Sequence, residues 1–122
     1  MKTGDTGIKR ILMAFKYSWQ GFTATVKTEA AFRQELCLCV PLGIIAVLLP
    51  LPPLQTYLLL FSLLLIILME LVNSAIEAVV DRISDEYHEL SKKAKDIGSL
   101  LVLLAFINAF VIWGICLKQL YL

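Results

Sequence analysis

The sequence predicts an all-α integral membrane protein, with an N-terminal amphipathic surface helix followed by three transmembrane helices. Three observations carry that reading. First, 59% of the 122 residues are apolar and the mean hydropathy is +0.80, against roughly 45–50% apolar residues in soluble domains. Second, three apolar segments, about 30–49, 54–80 and 97–117, each approach or exceed the roughly 20 residues that a helix needs to cross a bilayer. Third, the stretch at about 8–24 has an apolar stripe opposite a basic one, the pattern of a helix lying in the membrane interface. The whole chain, 1–122, reads as one membrane-embedded domain.

Taken in order, residues 1–7 are polar and glycine-containing and are expected to fray. From Ile8 onward, Ile11, Leu12, Phe15, Trp19 and Phe22 recur at helical spacing, while Lys9, Arg10, Lys16 and Gln20 fall largely elsewhere around the helix. Gly21 is expected to bend the path. The first span starts in mixed polarity, at Glu29, Arg33 and Glu35, and Pro41 is expected to kink it, which a membrane helix tolerates. Pro50, Pro52 and Pro53 end it in a tight, uncharged turn. The second span runs from Leu54 to Val80. The charged stretch from Asp81 to Asp96 must be an aqueous connection with helical turns at both ends. The third span leads to Lys118, with Trp113 and Tyr121 expected in an aromatic belt.

Every Lys and Arg except Lys118 precedes residue 34 or lies between Arg82 and Lys95. By the positive-inside rule the N-terminus and the second connection are cytoplasmic, and the proline turn and C-terminus face outward. The net charge of +1 gives no electrostatic case for a nucleic-acid partner. Cys37, Cys39 and Cys116 lack Cys-x-x-Cys spacing and lie in apolar surroundings, so they read as small hydrophobes. No cleavable signal peptide is expected, because the N-terminal segment is amphipathic.

The informative stretch is the end of the second span. Glu70, Asn73, Glu77 and Asp81 step by three or four and so share one helix face. A carboxylate at a membrane helix centre costs roughly 2.5–3.5 kcal/mol on insertion scales, so intramembrane ionisable groups are functional by default. Glu29, Glu70, Glu77, Asp81 and Asp96 map to one depth, together with Arg10, Lys95 and Asn73. Carboxylates suit Mg²⁺, which takes one or two of them plus phosphate oxygens and water. A nearby Lys and Arg would balance charge in phosphoryl transfer. The chain has no Gly-x-x-x-x-Gly-Lys-Ser/Thr loop, no Asp-Phe-Gly and no His-Arg-Asp. On the residues alone, a membrane phosphotransferase and a transporter subunit using the carboxylates as a cation path both remain open.

Three blocks narrow this. Glu29-Ala30-Ala31-Phe32-Arg33-Gln34-Glu35, the run from Glu70 through Asn73-Ser74-Ala75-Ile76-Glu77 to Asp81-Arg82, and Glu86-Tyr87-His88-Glu89-Leu90-Ser91 with Ala94-Lys95-Asp96 closely resemble the bacterial integral-membrane diacylglycerol kinases. The likeness covers nearly the whole chain, and its Glu-x-x-Asn-Ser-Ala-Ile-Glu-x-x-x-Asp block is highly specific. It implies a homotrimer in the bacterial inner membrane, with active sites shared between subunits at the cytoplasmic surface. It further implies MgATP-dependent phosphorylation of diacylglycerol to phosphatidic acid.

Residue by residue, the resemblance gives Glu70 the role of catalytic base toward the lipid hydroxyl, and Glu29 and Glu77 that of Mg²⁺ ligands. The rival for Glu29 is a simple ion pair with Arg33, and that for Glu70 an amide-paired structural role. Asn73 supports the site through its amide, with a plain helix–helix hydrogen bond as the alternative. Lys95 contacts nucleotide phosphates and Asp96 orients it. Arg10 and Tyr17 match nucleotide contacts, as do Glu86, Tyr87 and His88 at the adenosine end, with His88 given no proton-transfer role. Lipid contacts are implied for Arg10, Ala14, Phe15, Lys16, Tyr17, Ser18, Trp19, Thr23, Ala24, Thr25 and Val26, and for Ala31, Phe32, Arg33, Gln34 and Glu35. They are also implied for Leu48, Leu49, Pro50, Leu51, Glu70, Ser99, Trp113, Gly114, Ile115, Cys116, Leu117 and Lys118. Asp81 is assigned to structure. The rivals are an undecaprenol kinase of the same fold and, from a different class, a non-enzymatic channel or transporter subunit.

Overall fold

The computed structural model describes residues 6–122, and the expectation of a frayed N-terminus falls mostly outside them. Four helices follow one another: α1 (Gly7–Thr28), α2 (Ala30–Leu48), α3 (Pro53–Ile83) and α4 (Glu89–Tyr121). The last three are long and apolar enough to cross a membrane. Large apolar side chains such as Leu64 and Leu68 on α3 and Leu103, Leu104 and Phe110 on α4 stand exposed, a surface that water would not support and hydrocarbon would.

Helix α3 is central. It packs most extensively against α4 and next against α2, whereas α1 leans lightly on α2. The buried residues of α3, Leu59, Ser62, Leu63, Ile66, Glu70, Asn73, Ser74 and Val80, follow the three–four repeat of a single face. Phe32, Cys39 and Ala46 do the same on α2, and Gly98, Ala105, Ala109 and Cys116 on α4. Small side chains on α4 let it approach α3 closely, the usual solution where lipid removes the hydrophobic drive between helices.

Some local expectations change. Helix α1 runs through Gly21 without a break and ends at Thr28 rather than near residue 24, because nothing crowds an exposed glycine enough to turn the chain. The turn comes instead at Glu29, whose extended backbone (φ −112°, ψ 106°) separates α1 from α2. Arg33 fixes this corner by donating from Nη1 to the Val26 and Lys27 carbonyls at 2.8 and 3.1 Å, capping α1's orphan acceptors. Phe22 and Phe32 add an edge-on ring contact at 5.9 Å. Helix α2 continues through Pro41. Pro53 opens α3 at its first position, where a missing N–H removes no helical bond. The connection from Asp81 to Asp96 has the expected helical turns at both ends, with residues 84–88 between them and His88 as the α4 N-cap: its Nδ1 accepts from the Leu90 N–H at 3.0 Å. Trp113 is also held by a partner within the chain. It is half-buried, and its indole N–H donates to Ser62 Oγ at 3.1 Å.

Candidate active site

The three–four spacing of α3 delivers Glu70, Asn73 and Glu77 to the face that meets α2 and α4. Glu70 is 6% exposed and Asn73 8% exposed, and Glu77 is half-buried. Asn73 donates from Nδ2 to Glu77 Oε1 at 3.2 Å, one turn on. Its Oδ1 is buried without a hydrogen-bond partner and lies over Gly98 of α4, where a methyl group would collide with it.

Facing this ladder from α2 is Glu35, whose side chain meets that of Glu70 at hydrogen-bonding distance. Glu35 Oε2 is buried and has no other partner. Two carboxyl groups can hydrogen-bond only when one of them carries a proton. Glu29, half-buried at the α1–α2 corner, and Glu77 are both within electrostatic reach of Glu70. Four carboxylates from α2, α3 and the corner therefore face a single neighbourhood. The resemblance places Glu35 among the lipid contacts; its position opposite Glu70 is a further feature of the fold. The signal was available: 32, 35, 39, 42 and 46 form one helical stripe, and Phe32, Cys39 and Ala46 on it are buried.

Nearer the 84–88 connection the groups become solvent-exposed. Lys95 pairs with Asp81 at 2.7 Å and Lys92 with Asp96 at 2.6 Å. Lys95 thus leans on Asp81 of the ladder, rather than on its neighbour Asp96, because Lys95 and Gly98 share the α4 face turned toward α3. Together with Glu86, Tyr87, His88, Ser84, Asp85 and Ser91 these charged residues line an open cleft of about 560 Å³. A second, apolar groove of about 420 Å³ runs between α2, α3 and α4 along Leu38, Leu42, Leu63, Ile66, Phe106 and Trp113.

Other sequence-derived positions stay apart within one chain. Arg10 on α1 is exposed and Tyr17 is half-buried, and α1 packs appreciably only against α2. Of the α1 lipid positions, Ala14, Phe15, Lys16, Ser18, Trp19 and Ala24 are exposed, while Thr23, Thr25 and Val26 are half-buried. Leu48 to Leu51 lie at the far end of α2, roughly 20 Å from the level of Glu35 at about 1.5 Å per residue. Trp113 and Cys116 occupy the same far level, packed with Ala46 and Leu59. Ser99 is exposed on α4 beside Gly98.

Among the described residues no group of three or more His, Cys, Asp or Glu side chains converges as a metal cage. Mg²⁺ needs no such cage, since it takes one or two protein carboxylates and completes its shell with water and phosphate oxygens, and two carboxylates such as Glu29 and Glu77 would suit it.

The comparisons agree on one family. The model of the prokaryotic diacylglycerol kinases matches residues 16–117. The chain is 48% identical over 117 residues to a diacylglycerol kinase of Escherichia coli K12, covering 96% of each chain. It is 48% identical over 111 residues to one of Pseudomonas aeruginosa, covering 91% of this chain and 90% of the other. A Helicobacter pylori diacylglycerol kinase is 39% identical over 116 residues, covering 95% and 91%. A chain matched along nearly its full length, by relatives bearing one description, belongs to the prokaryotic diacylglycerol kinase family.

Proposed function

We propose that this protein phosphorylates diacylglycerol to phosphatidic acid with MgATP at the cytoplasmic face of the bacterial inner membrane. The whole chain, 1–122, acts as one lipid kinase domain in a homotrimer with shared sites. The observation that carries the reading is the placement of Glu70. It is a buried carboxylate where the apolar stretch of α3 gives way to the charged cleft, with Glu29, Glu35, Asn73 and Glu77 around it. Diacylglycerol as the acceptor rests on the printed description of the relatives.

In this reading α1 lies flat on the membrane. Its exposed Ile8, Ile11, Leu12, Phe15 and Trp19 are the side chains such a surface would absorb. The lipid's acyl chains follow the apolar surfaces of α1, α2 and α4, and its primary hydroxyl reaches Glu70. That carboxylate accepts the hydroxyl proton as the oxygen bonds to the γ-phosphorus of ATP; the bond to the bridging oxygen breaks, and ADP departs with the electron pair. Glu29 and Glu77 would hold Mg²⁺, whose chemistry there would be to neutralise charge on the phosphate oxygens. Lys95 contacts the phosphates, with Asp96 beside it. Glu86, Tyr87 and His88 face the adenosine end, and Arg10 and Tyr17 complete the nucleotide site from α1. Because α1 lies apart from α3 and α4 in one chain, the last two contacts are best supplied by a neighbouring subunit.

The test is phosphorylation in mixed micelles containing diacylglycerol or undecaprenol, with and without Mg²⁺. Mg²⁺-dependent phosphatidate formation is expected. A preference for undecaprenol would reassign the lipid. Ion flux in liposomes without any phosphorylated lipid would point to a channel or transporter subunit instead.

A further inference from the structure

Gly98 is a buried position of α4 that lies directly against the polar ladder of α3. A Cβ built there would collide with Asn73 Oδ1 and stand 3.1 Å from Asn73 Cγ, yet 3.6 Å from its Cα. The conflict is therefore with the amide head, not with the backbone of α3. That amide is over nine-tenths buried, its oxygen has no hydrogen-bond partner, and its nitrogen donates to Glu77 Oε1 at 3.2 Å. With its oxygen seated against the bare Cα of Gly98, the amide turns its nitrogen toward Glu77.

We infer that Gly98 is a positioning residue: its missing side chain forms the slot that seats the Asn73 amide and thereby fixes Glu77. The inference rests on the reading of Asn73 and Glu77 as site residues. Adding one methyl group forces the amide out of the slot, and Glu77 loses its only hydrogen-bond donor seen among the described residues. What gives is the Asn73 side chain: its amide head swings aside while the helix pair, buried at both Asn73 and Gly98, keeps its packing.

The experiment compares the full-length wild type with Gly98→Ala, Asn73→Ala, the double variant and Gly21→Ala, all in mixed micelles. Gly21→Ala adds the same methyl group where nothing lies within 4 Å, and it should behave as wild type. Gly98→Ala should slow turnover at least about tenfold and raise the Mg²⁺ concentration for half-maximal rate, the mark of a disturbed ligand. A purely structural role would lower thermal stability and leave the Mg²⁺ titration of the folded fraction unmoved. Since Gly98 acts through Asn73, the double variant should be no slower than Asn73→Ala alone. Multiplying losses in the double variant, or wild-type turnover and Mg²⁺ titration in Gly98→Ala, would overturn the inference. Should Gly98→Ala fail to fold, the double variant must fold, because truncating Asn73 removes the colliding atoms; a double variant that also fails overturns it. A fully active Asn73→Ala would instead remove Asn73 from the site, and a slow Gly98→Ala beside it would refute any action through that amide.

Discussion

Glu35 of α2 and Glu70 of α3 meet carboxyl to carboxyl between two helices, with Glu35 Oε2 buried and otherwise unpartnered. Such a contact restrains the Glu70 side chain and ties α2 to α3 at the level of the proposed base. Glu35→Gln keeps the contact, because the amide donates to a Glu70 carboxylate. Glu35→Ala leaves Glu70 buried without it, a loss on the order of 1–3 kcal/mol for an unsatisfied group. Turnover in mixed micelles should therefore fall roughly tenfold or more in Glu35→Ala, and the Gln variant should recover most of it. Equal losses in the two variants would show that the hydrogen bond is not what matters.

Glu70→Gln has nearly the shape of the native side chain and can still bond Glu35, so helix packing is expected to survive. What disappears is proton acceptance. Turnover should drop by roughly 10² to 10⁴, the usual contribution of a general base, while nucleotide binding measured by fluorescence of a bound analogue stays within a fewfold. A variant turning over at near-normal rate would end Glu70's candidacy.

Glu77→Gln separates charge from hydrogen bonding. Its carbonyl can still accept from Asn73 Nδ2, so the ladder is preserved and the negative charge alone is lost. The Mg²⁺ requirement should rise by more than the 10- to 100-fold typical of losing an outer-shell partner. An unchanged Mg²⁺ titration would argue that Glu77 is a structural acceptor for Asn73.

The four helices and the ladder were legible because each is a pattern along one segment. Apolar runs give spans, and the steps from Glu70 to Asn73 and Glu77 give a shared face. The rest depends on what a second helix brings. Gly98 is an unremarkable glycine until α3 places Asn73 over it. Lys95 has Asp96 beside it in sequence, yet consecutive helix positions diverge by about 100°, and α3 offers Asp81 on the side Lys95 faces. Trp113 has the position of an interfacial aromatic, but the fully buried Ser62 supplies an acceptor that draws its indole inward. Residues placed by α1 were the least legible, since α1 itself makes few contacts inside a single chain.

The far end of the helices yields a prediction about stability rather than chemistry. Ser62 Oγ donates to the Leu59 carbonyl at 2.6 Å and accepts the Trp113 indole N–H at 3.1 Å. In an apolar setting the Trp113 N–H has no water to turn to, so Ser62→Ala strands a donor. Interhelical hydrogen bonds in membrane proteins average about 0.6 kcal/mol and reach about 1.7. Ser62→Ala should therefore lower unfolding stability in detergent by about 1 kcal/mol. Trp113→Phe in that background should cost little more than the variant alone, because the donor needing a partner is gone. Ser62 lies two helical turns or more from Glu70, roughly 12 Å along α3 at about 1.5 Å per residue, so the turnover of the folded protein should be preserved. Independent, additive losses for the two substitutions would mean that the indole and hydroxyl contribute packing, and that their bond is incidental.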